Sequence, residues 1–377
     1  MSGLSWSSEG NERPANDRSA FGRHHEFLQR LIGQRSQSLV SNIETRVELL
    51  CNDQWQMPAT INDEQWTNSY VCSPYTGAIT YPIDELHHLD RGLTRILIRG
   101  LLGGLSPILR WGQINRVVAI NNWLFSTNLY SEDPVNVAAV TRFVIERFPN
   151  HVVMFRSLNR ATNSEWIKKF EAEGYLMIPS RQVYLFEMAS KYWQKVNARR
   201  DQNLLRKSNY EIVFHDELDE RDDSRIAELY RQLYIQKYSK WNPVYTESMV
   251  RLWRETKLLE FFGLRDPAGR LNGIVGLFQV GDIVSAPVVG YEMQEPQSAG
   301  LYRMLMAIVL RMARERQLRL NLSSGAADFK RVRGGEPHIE YSAVCVKHLS
   351  TGKQMVWKSL NQLLRKIGVP LLKKYKL

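Results

Sequence analysis

A helix, a strand and a short Asp-Phe-Lys segment follow one another in the stretch Gln297–Arg333, which constrains the fold more than any other part of the chain. Apolar residues recur at helical spacing over Leu301–Met312, so the stretch predicts an amphipathic helix with one face packed on a sheet. Ser298 is the predicted N-cap, because its hydroxyl can accept a hydrogen bond from an amide of the first turn. Leucines alternate with polar residues over 318–322, which predicts a strand with one covered face.

Two parts of this stretch are candidates for chemistry. At the predicted helix start, Ser298-Ala299-Gly300 would present unpaired amides and a partial positive charge to a phosphate group. An ordinary capped helix is the equally weighted alternative. If Asp328-Phe329-Lys330 is extended, the carboxylate and the ammonium point the same way and the ring anchors the other side. A surface ion pair is the alternative interpretation of that segment.

Length and composition indicate a globular protein. A chain of 377 residues with 44% apolar residues is long enough for two domains of ordinary size. The sequence has no apolar run of membrane-spanning length, and its first twenty residues lack the apolar core of a signal peptide, so we expect a cytoplasmic location. The three cysteines, Cys51, Cys72 and Cys345, are far apart and have no CxxC spacing. Neither a disulfide framework nor a metal site is expected.

The net charge of +11 is concentrated in two segments. Lys191–Tyr210 contains six basic residues and one acidic residue, and Thr351–Leu377 contains seven basic residues and none that is acidic. The rest of the chain is nearly neutral. Concentrated positive charge favours an acidic partner, such as RNA, a phosphorylated cofactor, an acidic carrier protein or anionic lipid. A solvated helix face is the plain alternative.

The first half of the chain predicts a helical lead-in followed by a mixed sheet. Residues 1–20 are polar and are expected to form a disordered tail. Helical spacing of apolar residues predicts two helices between Phe21 and Leu50, and a helix followed by a glycine-rich loop is expected around 85–109. Strand and helix patterns then alternate from Val117 to Met188, which predicts a sheet flanked by helices.

The second half repeats this pattern after the basic segment. A strand at 211–215, helices at 225–237 and 247–257, and strands at 259–265, 271–280 and 283–293 precede the helix of the organising stretch. The fold class is therefore α+β (mixed α/β), with two tandem domains that each contain a twisted mixed sheet flanked by helices. The predicted domains are 21–189 and 190–350, and a basic helix and tail occupy 351–377.

The second half resembles the GNAT superfamily, and within it the tandem-domain branch that includes the Fem-like peptidoglycan transferases. Tyr192-Trp193, Arg199-Arg200 and the segment Asn203–Lys207 are similar to the basic helix that opens the family's second domain. The helical pair, the meander ending in Gly290-Tyr291 and the segment Gly325–Lys330 follow in the family's order. The resemblance implies two GNAT-like domains, of which the first is degenerate and the second catalytic.

The resemblance also implies the class of donor. The family's phosphate loop is similar to Gln297-Ser298-Ala299-Gly300, but Tyr302 stands where a small residue is usual. These four residues and Arg303 are the candidate cofactor-binding set. No tightly bound cofactor is expected. The co-substrate would be acyl-CoA, an acyl-carrier thioester or an aminoacyl-tRNA, and a tRNA would contact the basic segments in a salt-dependent way.

The implied reaction is the attack of an amine on an activated acyl carbonyl, which needs a group to stabilise the oxyanion and a group to accept a proton. Lys330 matches the family's motif lysine and is the candidate cationic stabiliser, anchored by Phe329 and accompanied by Asp328. Glu292, which lies beside Tyr291 in the sequence, is the first candidate for the base, and the others are Glu336, His338 and Glu340. A structural role is the alternative for each.

Two further sets of residues complete the prediction. The acceptor pocket is assigned to loop residues before Pro243 and to the end of the organising strand, with Tyr238, Lys240, Trp241, Asn242, Asn321 and Ser323 as its candidates. An acidic donor, either tRNA or a carrier protein, would dock on basic side chains, with Arg199, Arg200, Arg206, Lys207, Lys373 and Lys374 as the candidates.

The predicted function is an N-acyltransferase that moves an acyl or aminoacyl group to an amine of a small molecule or peptide, in a biosynthetic pathway. A non-catalytic RNA- or carrier-binding protein is one alternative. A peptidoglycan cross-bridge transferase, with a lipid-linked muropeptide as acceptor and the basic tail at the membrane surface, is the other. The sequence leaves the oligomeric state open.

Overall fold

The computed structural model describes residues 3–7, 24–86, 92–187 and 190–375. The strands in these ranges are β1 (Ser5–Ser7), β2 (Arg46–Cys51), β3 (Gln56–Asn62), β4 (Val117–Ile120), β5 (Val152–Asn159), β6 (Leu176–Phe186), β7 (Glu211–Phe214), β8 (Glu260–Arg265), β9 (Leu271–Val280), β10 (Ile283–Tyr291), β11 (Arg319–Asn321) and β12 (Glu336–Cys345). The α-helices are α1 (His25–Leu31), α2 (Ser36–Leu39), α3 (Tyr81–Glu85), α4 (Gly92–Trp111), α5 (Val137–Arg147), α6 (Ser164–Ala172), α7 (Ser190–Trp193), α8 (Val196–Lys207), α9 (Glu220–Arg231), α10 (Glu247–Glu255), α11 (Leu301–Glu315), α12 (Ala327–Arg331), α13 (Thr351–Leu363) and α14 (Val369–Tyr375).

The chain divides into two compact units that are not consecutive halves. Unit 1 contains the described residues of Met1–Arg181, Ser239–Pro243 and Ile339–Lys376, and unit 2 contains those of Gln182–Tyr238 and Val244–His338. The predicted domains of 21–189, 190–350 and 351–377 differ from this division. The difference arises because the chain returns to unit 1 at Ile339, where the second part of β12 pairs with β5.

The sheet of unit 1 has the strand order β1-β2-β3-β4-β5-β12-β6. Of the last two strands, β6 belongs to this unit up to Arg181, and β12 belongs to it from Ile339. Neighbouring strands from β1 to β4 are antiparallel, β4 and β5 are parallel, and β12 is antiparallel to β5. Val153 and Phe155 pack on the face that α5 and α6 cover, and Val152 and Met154 pack on the opposite face. Both faces of this sheet are therefore buried, as expected for strands rich in consecutive apolar residues.

Several sequence predictions for unit 1 are wrong in detail. Ser5–Ser7 is a strand paired with β2, although it falls in the predicted disordered tail; the remainder of that tail lies outside the described residues, apart from Gly3 and Leu4. The stretch Arg46–Cys51 is a strand rather than part of a helix, because pairing with β3 outweighs the local spacing of Val47 and Leu50. The predicted glycine-rich loop belongs to α4.

The sheet of unit 2 has the order β6-β11-β10-β9-β8-β7. Strands β7 to β10 form an antiparallel meander, and β11 then returns parallel to β10. Helices α8 and α11 contribute to the core on one face, where Met304, Leu305 and Ile308 are buried. A Cβ on Gly290 would lie 2.5 Å from the backbone of Leu229, so α9 packs directly against β10. The predicted mixed α/β class is confirmed in both units.

Three predictions need correction, two of them in the organising stretch and one after it. The helix begins at Leu301 with Gly300 as its N-cap, so Ser298 does not cap it and lies in a 3₁₀ turn instead. The segment Ala327–Arg331 is a short helix rather than an extended strand. After this stretch, the sequence predicts a helix over Lys353–Ile367 that Gly368 and Pro370 end; instead, a π-helical turn at Leu364–Gly368 joins α13 to α14.

Candidate functional site

In unit 2, the parallel strands β10 and β11 pair over only three residues. Ile283–Ser285 pairs with Arg319–Asn321, and β10 then has a bulge between Ser285 and Val288. Beyond the bulge, β10 continues to pair with β9 as far as Tyr291. No strand pairs with the other edge of Val288–Tyr291 within the described part of unit 2. An edge of this kind presents backbone N–H and C=O groups that can bind a ligand.

Ser285 lies at the position where the pairing of β10 with β11 ends. Its side chain is 1% exposed, and its Oγ has no hydrogen-bond partner among the described residues. A buried hydroxyl without a partner costs free energy, and such groups often mark places where water, an ion or a ligand binds. The hydroxyl therefore has both donor and acceptor capacity available at the start of the unpaired edge.

The loop that follows β11 has an unusual backbone. Ser323 and Ala326 have positive φ angles of 58° and 46°, and Gly325 between them has a φ of 77°. A residue other than glycine in the left-handed region costs roughly 1–3 kcal/mol and persists only where its surroundings hold it. The loop Ser323–Ala326 is therefore a strained segment at the carboxyl end of β11.

Lys330 holds this strained loop in place. Its ammonium donates to the carbonyl oxygens of Leu322 and Ser324 at 2.7 Å each, and to that of Ser323 at 3.3 Å. The side chain is 3% exposed, and the ammonium lies 5.6 Å from the centre of the Tyr184 ring. An ammonium has three N–H donors, and these three carbonyl oxygens match that number.

The geometry of Asp328-Phe329-Lys330 differs from the predicted one. Because the segment is helical, Asp328 is exposed while Lys330 is buried, so the two side chains do not share a face. The ring of Phe329 lies 4.8 Å from that of Tyr302 and beneath the guanidinium of Arg333 at 3.4 Å, and its anchoring role stays a prediction. The role of Lys330 as a cationic stabiliser stays a prediction, and an oxyanion would have to compete with three carbonyl oxygens for its protons.

Gly300 shapes the start of α11. Its φ of 71° is in the left-handed region, and a Cβ at this position would lie 2.6 Å from the Leu204 side chain on α8. Because glycine has no side chain that could accept hydrogen bonds from the first-turn amides, the helix has no side-chain cap. Arg303, the predicted phosphate ligand, donates its Nε to Asp201 at 2.7 Å, and Arg333 binds the other oxygen of the same carboxylate.

Aromatic side chains surround the first turn of α11. The ring of Tyr302 lies 6.0 Å from that of Tyr291 at the end of β10. Burial, and then the nearby hydroxyls of Tyr234, Tyr238 and Tyr291, raise the pKa of Tyr302 well above its usual range. The phenol therefore stays protonated at neutral pH and can act as a hydrogen-bond donor.

Among the predicted bases, Glu292 is engaged in an ion-pair network. The Nη2 atoms of Arg225 and Arg270 lie 2.8 Å and 3.0 Å from its Oε2. Burial alone would raise the pKa of Glu292, but hydrogen bonds from Arg225 and the Gln294 amide and the nearby positive charges outweigh burial and lower it. A carboxylate held in its charged form is a weak proton acceptor, so this geometry argues against Glu292 as the base.

The remaining base candidates differ in their surroundings. Glu336 is exposed, whereas Glu340 belongs to unit 1 and accepts a hydrogen bond from Arg181 at 2.8 Å. His338 is half-buried in unit 2, and its Nε2 is buried without a hydrogen-bond partner among the described residues. Of these three side chains, His338 is the one with a buried polar atom that has no hydrogen-bond partner among the described residues.

The predicted pocket residues fall into different units. Tyr238 ends a π-helix at Gln232–Tyr238 in unit 2, and such irregular helical turns are frequent at functional sites. Asn321 is buried in the same unit, and its Oδ1 accepts a hydrogen bond from the Ser323 amide at 2.9 Å. Asn321 therefore borders the strained loop.

Residues Ser239–Pro243 belong to unit 1. Ser69 donates to the carbonyl of Trp241 at 2.8 Å, and Asn42 donates to that of Asn242 at 2.7 Å. Lys240 also takes part, because its carbonyl accepts from Asn42 at 3.1 Å. These contacts give the segment a role in holding unit 1 together.

The predicted docking residues on α8 are exposed. Arg199, Arg200, Arg206 and Lys207 lie on the side of the helix away from the buried Leu205, and none of the four is paired with a carboxylate in the described part of the chain. Beside them, a cavity of about 340 Å³ is lined by residues of α8, β7 and α11: Gln202, Asn203, Leu205, Arg206, Tyr210, Ile212 and Arg311. Lys373 and Lys374 are exposed on α14 of unit 1, whereas Lys376 lies outside the described residues.

Sequence reasoning missed a polar cluster in unit 1, where the parallel strands β4 and β5 end. Asn121, Leu124 and Ser157 have positive φ angles of 56°, 62° and 68°, and the Oγ of Ser157 is buried without a partner among the described residues. Arg156 donates to Asn122 at 3.0 Å, and burial lowers its pKa. The available signal was the run Asn121-Asn122 directly after a predicted strand, because polar residues at carboxyl ends of parallel strands often form sites.

Metal and disulfide chemistry have no visible basis in the described residues. No group of three or more His, Cys, Asp or Glu side chains there is arranged to hold a metal ion. The three cysteines are free thiols. In the ranges that the structure describes, no helix combines the length and the apolar character needed to cross a bilayer.

No protein-family model matches the sequence, and no curated protein matches it either. Solved structures similar to this chain include L-PGS from Bacillus licheniformis, with 12% identity, a TM-score of 0.43, and coverage of 58% of this chain and 77% of that chain. FemX has 10% identity and a TM-score of 0.44 over 55% of this chain and 75% of its own. A tandem GNAT protein from the clavulanic acid biosynthesis pathway has 10% identity and a TM-score of 0.36 over 62% and 76%. All three TM-scores are below 0.5, so no substrate or residue role is transferred from these structures.

Proposed function

We propose that the protein is an N-acyltransferase that moves an acyl or aminoacyl group from an activated carrier to an amine, with its reaction centre in unit 2. One observation carries this proposal: the pairing of β10 with β11 ends at Ser285 and leaves the edge of Val288–Tyr291 without a strand partner beside the first turn of α11. The order of elements around this edge is the one that the resemblance of the sequence to the GNAT superfamily implies.

The unpaired edge suits a donor that carries amide groups. The arm of CoA and of acyl-carrier proteins contains two amides, which could hydrogen-bond to the edge of β10 as an added strand would. The amides at the start of α11 could bind a phosphate group of such a donor. Arg206 and Arg311, which line the cavity beside α8, supply positive charge nearby. A thioester donor is therefore the first choice, and aminoacyl-tRNA is the alternative.

The reaction would form a C–N bond between the amine and the acyl carbonyl and break the C–S bond of a thioester or the C–O bond of an ester. Backbone amides of the β10 edge would stabilise the oxyanion. The proton lost by the amine would pass to Nε2 of His338, and the phenol of Tyr302 would donate a hydrogen bond to the leaving sulfur or oxygen. Lys330 would act by positioning the loop Ser323–Ala326 rather than by touching the oxyanion.

The acceptor would be an amine of a small molecule or a peptide. In this proposal, the acceptor enters a space that is bordered by the loop Ser323–Ala326 at the end of β11 and by Tyr238 at the end of the π-helix. A location in the cytoplasm, where all three classes of donor are made, remains part of the proposal.

The test is acyl transfer by the purified protein, assayed with acyl-CoA, acyl-carrier protein and aminoacyl-tRNA against a panel of amines. We expect turnover with one donor class and a loss of about two orders of magnitude for His338→Gln, the scale of a missing general base. His348→Gln, which changes a half-buried histidine of unit 1, is the matched control and should keep its turnover. Copurified nucleic acid without transfer from any donor would favour the non-catalytic binding protein instead.

A further inference from the structure

Helix α4 in unit 1 has two apolar faces, and only one of them is buried. Ile98, Leu102, Leu105 and Leu109 pack into the core of the unit. Six other large apolar side chains on the same helix are exposed: Leu93 by 71%, Ile96 by 69%, Leu97 by 65%, Leu101 by 39%, Ile108 by 50% and Trp111 by 69%. We call these six residues the α4 face.

The six residues form a continuous stripe. At 3.6 residues per turn they fall within an arc of about 140°, on the side of the helix opposite the buried stripe. Gly100 and Gly104 lie within the same arc and leave its centre flat. Single exposed apolar residues are ordinary, but a contiguous exposed stripe of this size is typical of a binding surface.

The charged residues of α4 itself are all positive. Arg95, Arg99 and Arg110 lie along its flank and are exposed, and the twenty residues of Gly92–Trp111 include no Asp or Glu. A helix with an exposed apolar face, a cationic flank and no acidic residue has the composition of one that lies in the interface of an anionic bilayer. A protein partner with an acidic groove would also complement the charge, but it would not require Trp111 at the end of the stripe, whereas aromatic rings favour the interface.

The C-terminal helices extend this surface. The ring of Trp111 lies 2.7 Å from where a Cβ on Gly352 would be, and Lys353 donates to Gln113 at 2.6 Å, so α13 begins beside the end of α4. Met355 and Ile367 are 60% and 43% exposed. Six further basic residues and no acidic residue occupy Thr351–Tyr375: Lys353, Lys358, Arg365, Lys366, Lys373 and Lys374.

From this combination we infer that the α4 face, together with the basic surface of α13 and α14, docks the protein peripherally on an anionic lipid bilayer. The apolar side chains enter the interfacial region, and the arginine and lysine side chains contact lipid phosphates. The inference concerns unit 1 and requires no step of the proposed acyl transfer.

Vesicle sedimentation with the full-length protein tests the inference. Vesicles of phosphatidylcholine and phosphatidylglycerol in a two-to-one ratio are compared with vesicles of phosphatidylcholine alone. We expect binding to the mixed vesicles that weakens as the salt concentration rises, because the Debye length falls from about 10 Å at 0.1 M to about 3 Å at 1 M. Absence of binding to the mixed vesicles at low salt would overturn the inference.

The double variant Ile96→Glu/Leu97→Glu identifies the surface. It replaces two residues of the α4 face that are more than half exposed, so unfolding should be unchanged while the partition coefficient for mixed vesicles falls by about tenfold or more, through lost apolar contact and added repulsion. Val196→Glu in unit 2, at a residue that is 54% exposed, is the matched control and should bind as the parent does.

Two outcomes of this comparison contradict the inference. If the double variant binds as tightly as the parent, another surface holds the bilayer. If the parent forms a dimer that the double variant abolishes, and neither protein binds vesicles, the α4 face is an interface between two copies of the chain. Size-exclusion chromatography with light scattering, run alongside the sedimentation, distinguishes these cases.

Discussion

The ammonium of Lys330 lies 2.7 Å from the carbonyl oxygen of Leu322 and is almost fully buried. The carbonyls of the next two residues also accept hydrogen bonds from it. These hydrogen bonds stabilise a backbone turn that contains residues in the left-handed region. Substitution of Lys330 can distinguish a role in positioning this loop from a direct role in stabilising the oxyanion.

Lys330→Met should destabilise the protein and reduce transfer together. Removing the ammonium takes this donor from the carbonyl oxygens of Leu322 and Ser324, whereas that of Ser323 still accepts from the Tyr184 amide. At about 1–3 kcal/mol for each unsatisfied group, the free energy of unfolding should fall by at least about 2 kcal/mol. Denaturant titration measures the first effect and the transfer assay measures the second. Arg331→Met, at the exposed neighbour on α12, is the control and should change neither. A variant that retains its stability but loses turnover would support the cationic-stabiliser role instead.

Gly300→Ala tests the packing at the start of α11. Gly269 and Gly300 both have positive φ angles, but a Cβ on Gly269 would meet nothing within 4 Å, whereas one on Gly300 would lie 2.6 Å from Leu204. Gly269→Ala should therefore cost about 1 kcal/mol from backbone conformation alone, and Gly300→Ala at least about 2 kcal/mol because overpacking is added. Thermal or urea unfolding measures both. Equal losses would mean that Leu204 moves aside without cost.

Unit 1 should lose stability in mild acid through two histidines. Burial lowers the pKa of His151 and of His348 below the ordinary histidine value, and the His348 side chain donates to the His151 carbonyl at 2.7 Å. In the unfolded chain these groups protonate near pH 6.5, before they do in the folded protein. Their contribution is therefore fully present above about pH 6.5 and is lost as the pH falls through the lower folded values.

The measurement is the urea midpoint between pH 8 and pH 5. We expect it to fall below about pH 6.5 in the parent and to fall less steeply in His348→Gln, whose amide can donate the same hydrogen bond but does not titrate. The two proteins should be closest in their pH dependence above pH 7. Parallel curves for the two proteins across the whole range would rule out His348 as a source of the acid sensitivity.

The basic face of α8 should affect the encounter with the donor. Arg206→Gln/Lys207→Gln should raise the apparent Michaelis constant for an acidic donor at low salt and leave the maximal rate nearly unchanged, because exposed charges act on association. The difference should disappear at high salt. Lys168→Gln on α6, at an exposed lysine of unit 1, is the control. Indistinguishable kinetics at low salt would assign Arg206 and Lys207 to the solvated surface only.

Local sequence patterns correctly predicted those helices and strands whose apolar residues are regularly spaced. The bounds of β9 are the predicted ones, and β7, β8, β10 and α10 differ from their predicted bounds by two residues or fewer. These segments combine apolar spacing with clear turn residues at both ends, so local propensity and tertiary packing agree.

The remaining features depend on contacts that are distant in sequence. Val47 and Leu50 fit a helical spacing, and only the pairing with β3 makes that segment a strand. The buried Lys330 could not be distinguished from an exposed one, because its partners lie in a loop whose left-handed backbone leaves no pattern in the sequence. The solitary hydroxyl of Ser285 is likewise a property of its burial in the folded sheet.

The return of the chain to unit 1 at Ile339 has a consequence for synthesis on the ribosome. The edge of β5 that pairs with Ala343–Cys345 stays open until those residues have emerged, and the core of unit 1 also lacks Trp357 and Leu360 until they emerge. The described residues of unit 2 all precede Ile339 in the chain. Unit 2 can therefore finish folding while unit 1 still exposes apolar surface. The growing chain should therefore depend on chaperones until Trp357 and Leu360 have joined the core of unit 1, and a stop codon before Ile339 should yield an aggregating product rather than a smaller stable protein.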